Sequence, residues 1–221
     1  MICFLGSSHA PTTLAAAARS HGLRVTDQIS LASLVFVSED TPTDETGNRD
    51  LRPIKRLIDE TSIRTQAPIV LTSQVPPGFT RSLNMARVIH MAETLRMKDA
   101  MQRARFPEQF IVGVPDPQEY VLPRDFMTYL YAPGDARVHI VSYEEAEFAK
   151  IAINMMLAAQ VDATNRLSEA AVKVGANWGR VAEVLRCDSR IGPDAYLTPG
   201  RWHDSRHLLR DHVTLEAILA R

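Results

Sequence analysis

Short apolar runs alternate with amphipathic stretches over the first 142 residues of the chain. The apolar runs have the length and β-branched content of buried strands, and they are MICFL (1–5), LVFV (34–37), APIVL (67–71), QFIVGV (109–114) and ARVHIVSY (136–143). The stretches between them show helical spacing of apolar positions, at 12–22, 50–65, 92–104 and 121–132. This alternation predicts an α/β domain with a mostly parallel sheet, whose ligand crevice lies at the carboxyl ends of the strands.

The pattern changes after Tyr143. From Glu144 the apolar spacing is helical as far as a turn at Gly175, and a shorter helix follows that turn. A loop rich in arginine and histidine then leads to a last helical stretch, DHVTLEAILAR (211–221). We therefore predict two domains: an α/β domain over 1–142 and an all-helical domain with a tail over 143–221.

Composition is that of a globular protein, since 45% of the 221 residues are hydrophobic and 23% are charged. The formal charge of −1 provides no broad positive field, so neither nucleic acid nor an anionic membrane is an expected partner. The apolar runs are too short to span a bilayer, and the N-terminus does not resemble a leader peptide. Two cysteines exclude a disulfide framework, and we expect a cytoplasmic protein.

A lysine and an asparagine interrupt the apolar stretch AEFAKIAINMML (146–157) at helical spacing. Lys150 and Asn154 share one face with Glu147 and Asn165, because each residue of a helix advances by about 100 degrees. If that face lines a crevice, a partly desolvated lysine can act as a base beside an orienting carboxamide. The alternative is that the stripe is only the solvated side of an amphipathic helix.

Several motifs together resemble the UDP-glucose/GDP-mannose dehydrogenase family. They occur in the family's order between about Leu34 and Asp211, and they are SEDTPTDETG (38–47), LTSQVPPGFT (71–80), AETLRMKDAMQRARFPEQFIVG (92–113) and the segment 146–192 that ends in DSRIG. The resemblance implies a Rossmann NAD-binding domain followed by a central helical dimerisation domain. It also implies a nucleotide-sugar substrate and a homodimer, and we expect the family's third, sugar-nucleotide domain to be absent from this chain.

The same resemblance assigns expected roles to individual residues. Lys150 and Asn154 match the lysine and asparagine that handle the sugar hydroxyl and the water, and Glu93 matches a glutamate used in acid/base chemistry. Asp211 matches the aspartate that ends the family's G-x-C-F-x-K-D loop, and it completes the candidate catalytic set. The expected cofactor-binding residues are Gly6, Asp27, Thr41, Ser73 and Gln74, with the Thr41–Thr43 segment matching a cofactor loop.

Two departures from the family pattern bear on activity. The stretch PGRWHDSRHLLRD (199–211) has the length of the cysteine loop, but His207 stands where the family's thioester-forming cysteine would be. Cys187 lies about twenty residues earlier, and we interpret it as a buried apolar thiol. A histidine cannot form the thioester, so at most one two-electron oxidation of an alcohol is expected.

The turn expected to bind the cofactor also departs from the family pattern. A dinucleotide fold places G-x-G-x-x-G after its first strand, whereas this chain has GSSHAP (6–11), in which Ser8 and Pro11 replace two glycines. Gly6 remains, and Asp27 has the spacing expected for a carboxylate on the ribose. LRV (23–25) is a short second strand, and LVFV follows too soon for the usual intervening helix and strand. NAD binding is therefore expected to be weak or lost.

The tail permits other interpretations. His203, His207 and Asp211 have the spacing of metal ligands on one helix face, although the Pro199–Gly200 pair favours a loop, and we predict no metal site. Ser205 with His207 and Asp211 contains the residue types of a hydrolase triad, without the G-x-S-x-G elbow of such enzymes. Three arginines suit a diphosphate or simply solubility: Arg201, Arg206 and Arg210.

Three functional hypotheses follow. The first is an NAD-linked nucleotide-sugar dehydrogenase of limited or impaired activity. The second is a catalytically inactive binding or dimerisation protein derived from that family. The third is a simpler 3-hydroxyacid or 6-phosphogluconate type of dehydrogenase, which shares the lysine and asparagine but fits the TPT and VPPG loops less well.

Overall fold

The computed structural model describes residues 1–96 and 98–220, and these form two compact units. Unit 1 comprises 1–42 and 49–150, and unit 2 comprises 43–48 and 151–221 as far as it is described. Met97 and Arg221, which fall within two predicted helices, lie outside the described residues.

Unit 1 contains a six-stranded sheet, as counted over the described residues. Its strands lie side by side in chain order: β1 (Ile2–Leu5), β2 (Leu34–Val37), β3 (Ile69–Leu71), β4 (Val88–Met91), β5 (Gln109–Val114) and β6 (Arg137–Ser142). The neighbours β1 to β4 pair in parallel, β4 and β5 pair antiparallel, and β5 and β6 pair in parallel. The prediction of an α/β fold with a mostly parallel sheet is confirmed.

The predicted LRV strand is reduced to an isolated bridge. Val25 pairs with Ile2 on the open side of β1, and the chain then passes through one short 3-10 turn, Ile29–Leu31, to β2. The helix and strand that would normally follow are missing here, as the sequence spacing predicted. Val25 therefore lies on one side of β1 and β2 lies on the other. The direction in which successive segments are added to the sheet reverses at this point, between β1 and β2.

Five helices accompany the sheet in the described part of unit 1: α1 (His9–Ser20), α2 (Arg52–Arg64), α3 (Phe79–Ser82), α4 (Ala100–Arg105) and α5 (Arg124–Tyr131). The prediction of a helix over 92–104 is wrong for its first half, because the described residues before Lys98 are irregular and the helix begins only at Ala100. Strand β4 was not predicted, since VIHM is short and carries a histidine. That histidine, His90, is buried in the sheet.

Aromatic side chains fill one side of the sheet. Phe36 is fully buried and lies 4.6 Å from Tyr129 and 4.7 Å from Phe4 between ring centroids. A second core cluster on unit 1 is aliphatic and includes Ile54 and Ile58 of α2. The apolar faces of the strands and helices are thus both covered, which stabilises the edge where the loops emerge.

Three helices are described for the second half of the chain: α6 (Tyr143–Lys173), α7 (Trp178–Cys187) and α8 (Arg206–Leu219). Helix α6 begins in unit 1 and enters unit 2 at Ile151. The loop between α7 and α8 is held in unit 2 by hydrogen bonds from Trp178 Nε1 to the Leu197 carbonyl and from Trp202 Nε1 to Asp162, both 2.9 Å. In the described residues, no helix is long and apolar enough to cross a membrane.

Candidate functional site

The loops that follow β1, β2 and β3 meet at one edge of the sheet. The strand ends are in register, with Leu5 beside Val37 and Val37 beside Leu71. Four predicted cofactor residues come directly after these strand ends: Gly6, Thr41, Ser73 and Gln74. The structure therefore brings together, within unit 1, the residues that the resemblance assigned to a cofactor site. Their roles remain predictions.

Gly6 allows the turn after β1 to pass close to the end of β2. Its φ is +136°, and a Cβ at this position would lie 2.2 Å from the Ser38 carbonyl oxygen. Only glycine fits such a backbone approach. The first glycine of the dinucleotide pattern is thus retained for a structural reason that is independent of any ligand.

The rest of the turn is occupied by the chain's own side chains. Ser8 caps α1 by accepting from the Ala10 N–H at 3.3 Å, and its hydroxyl donates to the Ser38 carbonyl at 2.8 Å. The carboxylate of Glu39 accepts from the N–H of Ser7 at 3.2 Å and from the Ser7 hydroxyl. The carboxylate of Glu39, in the loop after β2, therefore accepts hydrogen bonds from the donors of the turn after β1.

Hydroxyl groups line the carboxyl ends of β2 and β3. Ser38 and Thr72 form a buried hydroxyl pair, and the Thr41 hydroxyl donates to the Gln74 carbonyl at 2.9 Å. The Ser73 hydroxyl is buried and has no hydrogen-bond partner among the described residues. The Ser38–Thr72 and Thr41–Gln74 contacts join the loop after β2 to the loop after β3.

Asp27 and Glu93 occupy opposite sides of this edge in the strand order. Asp27 is exposed and follows Thr26, whose N–H donates to Ile2 on the open side of β1. Glu93 is half-buried in the loop after β4, where its carboxylate accepts from the Leu95 N–H. Glu93 therefore lies in irregular chain and not in the first turn of the helix predicted over 92–104.

A diphosphate does not fit the turn after β1 as its side chains lie. In this fold the diphosphate of a dinucleotide takes its hydrogen bonds from the backbone of that turn and from the start of the following helix. Here Ser7 already donates to Glu39, and the Ser8 side chain already accepts from the Ala10 N–H at the start of α1. A diphosphate would also meet the negative charge of Glu39. The expectation that NAD binding is weak or lost thus has a physical basis beyond the missing glycines.

Glu147 performs a structural task that the sequence pattern did not reveal. Its buried carboxylate accepts from the N–H groups of Gly78 at 2.6 Å and Thr80 at 2.8 Å, at the start of α3. Burial raises the pKa of Glu147, although the bonds from Thr80 and Gly78 act in the opposite direction. This residue joins the VPPG loop to the first turns of α6 within unit 1. The spacing showed its helix face but not its partner.

Unit 2 contains a buried polar pair made of two predicted catalytic residues. Asn154 Nδ2 donates to Asp211 Oδ2 at 2.6 Å, and Asp211 has no solvent exposure. Arg210, the neighbour of Asp211 on α8, is also buried. Lys150 lies one turn before Asn154 on α6 and is half-buried. Asn154 therefore does not face open solvent. This argues against the alternative that the polar stripe of α6 is only the solvated side of an amphipathic helix.

The structure also places the residues of the C-terminal tail and Cys187, to which the sequence analysis assigned possible roles. His207 is exposed in the first turn of α8, and Asp211 is fully inside unit 2. Among the described residues, no group of three or more histidines, cysteines or acids is placed to hold a metal ion. Cys187 is exposed, so the interpretation of a buried thiol is wrong. It is the last residue of α7.

The sheet, the reversal point and the helical second unit define the class of fold: a Rossmann-type α/β unit followed by a helical unit. The UDP-glucose dehydrogenase from Pyrobaculum islandicum has this fold, with a TM-score of 0.71 and 20% identity. The superposition covers 98% of this chain and 63% of that one.

Sequence comparison is more specific. Residues 144–218 match the central domain of the UDP-glucose/GDP-mannose dehydrogenase family. The UDP-glucose 6-dehydrogenase of Rickettsia typhi is 27% identical over 72% of this chain, and that of Rickettsia bellii is 25% identical over 87%. The chain spans 38% and 46% of the lengths of these two relatives. The chain is thus similar to proteins of the UDP-glucose/GDP-mannose dehydrogenase family, which confirms the resemblance seen in the motifs.

Proposed function

We propose that this chain is a non-catalytic relative of the nucleotide-sugar dehydrogenases that forms a homodimer through its long helix α6. The observation that carries the proposal is a continuous apolar stripe exposed on α6 and the residue after it. Glu39 at the phosphate turn and His207 in place of the family's cysteine support the loss of catalysis. The match of 144–218 to the central domain supports the dimer, since the sequence resemblance implies a dimerisation segment there.

The stripe has the spacing of a helix-packing face. Its members recur at intervals of three or four residues and are all exposed, and they are Met156, Ala159, Ala163, Leu167, Ala170 and Val174. It extends over about 27 Å of helix at 1.5 Å per residue. Small alanines between larger apolar side chains allow another helix to approach closely. A second copy offers the same stripe, so two copies can bury it symmetrically.

A charge placed on the stripe tests this interface. We expect Leu167→Asp to convert a dimer into a monomer in sedimentation velocity, because it buries an unpaired carboxylate. Val172→Asp is the matched control, since Val172 lies on the same helix about 140 degrees away. Val172 is 75% exposed and Leu167 52%, so exposure alone does not favour the variant at 167. A monomeric wild type, or equal effects of the two substitutions, would contradict the proposal.

A second candidate is a single oxidation of a sugar alcohol in a nucleotide sugar. The buried Asn154–Asp211 pair favours it, because residues matching the family's catalytic set are kept together. In that function Lys150 acts as base or electrostatic stabiliser, Asn154 orients substrate or water, and Glu93 assists. NAD is the cofactor that the family relationship suggests, and the turn after β1 counts against it.

Product analysis separates the two candidates. With NAD and UDP-glucose supplied, the second candidate yields an aldehyde and no uronate, detected by mass spectrometry of a trapped product. Lys150→Ala would abolish that product, while Lys173→Ala, at an exposed lysine of the same helix, would not. The non-catalytic proposal expects no aldehyde from any of the three proteins.

A further inference from the structure

We infer that Glu39 is an internal occupant of the phosphate turn and determines that this unit rejects diphosphate ligands. The inference concerns unit 1 alone and does not depend on the proposed dimer. It rests on the contacts of the Glu39 carboxylate and on the geometry that holds the turn in place.

Among the described contacts, the Glu39 carboxylate accepts three hydrogen bonds, two of which come from the turn. Ser7 donates both its N–H and its hydroxyl, and the Asp40 N–H donates at 3.2 Å. An N–H and a hydroxyl converging on one anion are the groups that bind a phosphate in such turns. The turn has therefore kept its preference for an anion, and the anion is supplied by the chain.

The position of Glu39 follows from the pairing of β1 with β2. Ser38 donates its N–H to the Leu5 carbonyl at 2.8 Å, and Gly6 packs against the Ser38 carbonyl. Glu39 is the next residue after Ser38, so its side chain starts directly beside the turn. The rigid backbone on both sides fixes the distance between the Ser7 donors and the residue at position 39.

A phosphate group entering the turn must displace this carboxylate. Displacement removes charge-assisted hydrogen bonds, and the released carboxylate remains close to a ligand of the same sign. Asp40 adds a second carboxylate to the same loop. Glu39→Gln replaces the anionic competitor with a weaker, neutral acceptor and removes part of the repulsion, while the N–H of Ser7 remains a donor.

Calorimetric titration of the whole chain with ADP-ribose tests the inference. We expect wild type to bind with a Kd above about 1 mM and Glu39→Gln to bind at least about tenfold more tightly, with a Kd of about 0.1 mM or lower, a difference of at least about 1.4 kcal/mol. Glu39→Ala should gain affinity in the same direction. Glu119→Gln, which neutralises an exposed glutamate in the loop after β5, should behave as wild type.

Adenosine, which lacks phosphate, is the ligand control, and its binding should not differ between wild type and the Glu39 variants. Far-ultraviolet circular dichroism verifies that each variant is folded. The inference is overturned if wild type binds ADP-ribose at micromolar concentration, or if folded Glu39→Gln and Glu39→Ala bind no more tightly than wild type. An equal gain for Glu119→Gln would also overturn it, because the effect would then be one of net charge.

Discussion

Two carboxylates, one in each unit, are satisfied by the chain's own donors in contrasting ways. Glu39 in unit 1 is partly exposed and binds the turn that would receive a phosphate, whereas Asp211 in unit 2 is fully buried and accepts from Asn154. The buried pair is part of how unit 2 packs, so its retention does not by itself demonstrate catalysis. The exposed contact stabilises little but decides which ligand the turn accepts. A contact that selects a ligand and a contact that stabilises packing can thus lie in different units of one chain.

The largest expected loss of stability follows from a substitution at Gly6, which lies beside the Ser7–Glu39 contact. Gly6→Ala should lower the free energy of unfolding by at least about 3 kcal/mol, because its Cβ would meet the Ser38 carbonyl at 2.2 Å. Gly22→Ala is the control, since Gly22 also has a positive φ, +77°, but its Cβ would contact nothing within 4 Å. It should cost about 1 kcal/mol. Denaturant unfolding followed by circular dichroism measures both, and equal losses would show that the close approach is unimportant.

The pH dependence of the free energy of unfolding tests a buried histidine of unit 1, His90. Burial lowers the pKa of His90 to about 4 from 6.5. A histidine with a depressed pKa contributes stability that is present above pH 6.5 and is lost as the pH falls toward 4. Between pH 7 and 4, wild type should therefore lose about 3 kcal/mol more than His90→Gln does.

The control for this experiment is His139→Gln, at an exposed position of the edge strand β6. It should follow the wild-type pH profile of unfolding. If His90→Gln and wild type keep a constant difference across this range, the histidine is not held neutral by burial.

A smaller effect distinguishes the buried pair of unit 2. Asn154→Ala removes a donor from a carboxylate without solvent exposure, and we expect a loss of about 2 kcal/mol. Asn165→Ala, on the same helix, removes exposed bonds to Gly200 and should cost less. The chain's two tryptophans, Trp178 and Trp202, both lie in unit 2, so their fluorescence reports its unfolding. If Asn154→Ala lost less stability than Asn165→Ala, the conclusion that the Asn154–Asp211 pair stabilises the packing of unit 2 would be contradicted.

The smallest change is expected at Glu39 itself. Glu39→Gln should alter the free energy of unfolding by less than about 0.5 kcal/mol, because its contacts are solvent-exposed. Denaturant midpoints of wild type and variant give this value. A loss as large as that of Asn154→Ala would remove the distinction between a ligand-selecting contact and a packing contact.

The sequence predicted the elements whose signal is local. LVFV and QFIVGV are uninterrupted apolar runs, and both are strands in the structure. Strand β4 escaped prediction because its four residues gain their strand character from pairing with β3 and β5. The predicted helical start at Ala92 was wrong for the converse reason: the apolar spacing there is helical, but the described residues 92–96 form neither helix nor strand.

The candidate site was predicted only residue by residue. Asn154 and Asp211 were both named from the resemblance, but they are 57 residues apart and their contact has no signature in spacing. Ser7 and Glu39 are 32 residues apart, and the pairing of β1 with β2 joins them. A signal was present in the acidic SEDT loop, since a carboxylate directly after a parallel strand lies at the edge where phosphates bind.

The most direct test of the account is whether the wild-type chain reduces NAD when given a nucleotide sugar. Purified protein would be incubated with NAD and, separately, UDP-glucose, GDP-mannose and a UDP-N-acetylhexosamine, and the absorbance of NADH would be followed. We expect no NADH above the protein-free control with any of the three nucleotide sugars. Sustained, substrate-dependent NADH formation that is lost in Lys150→Ala would contradict it.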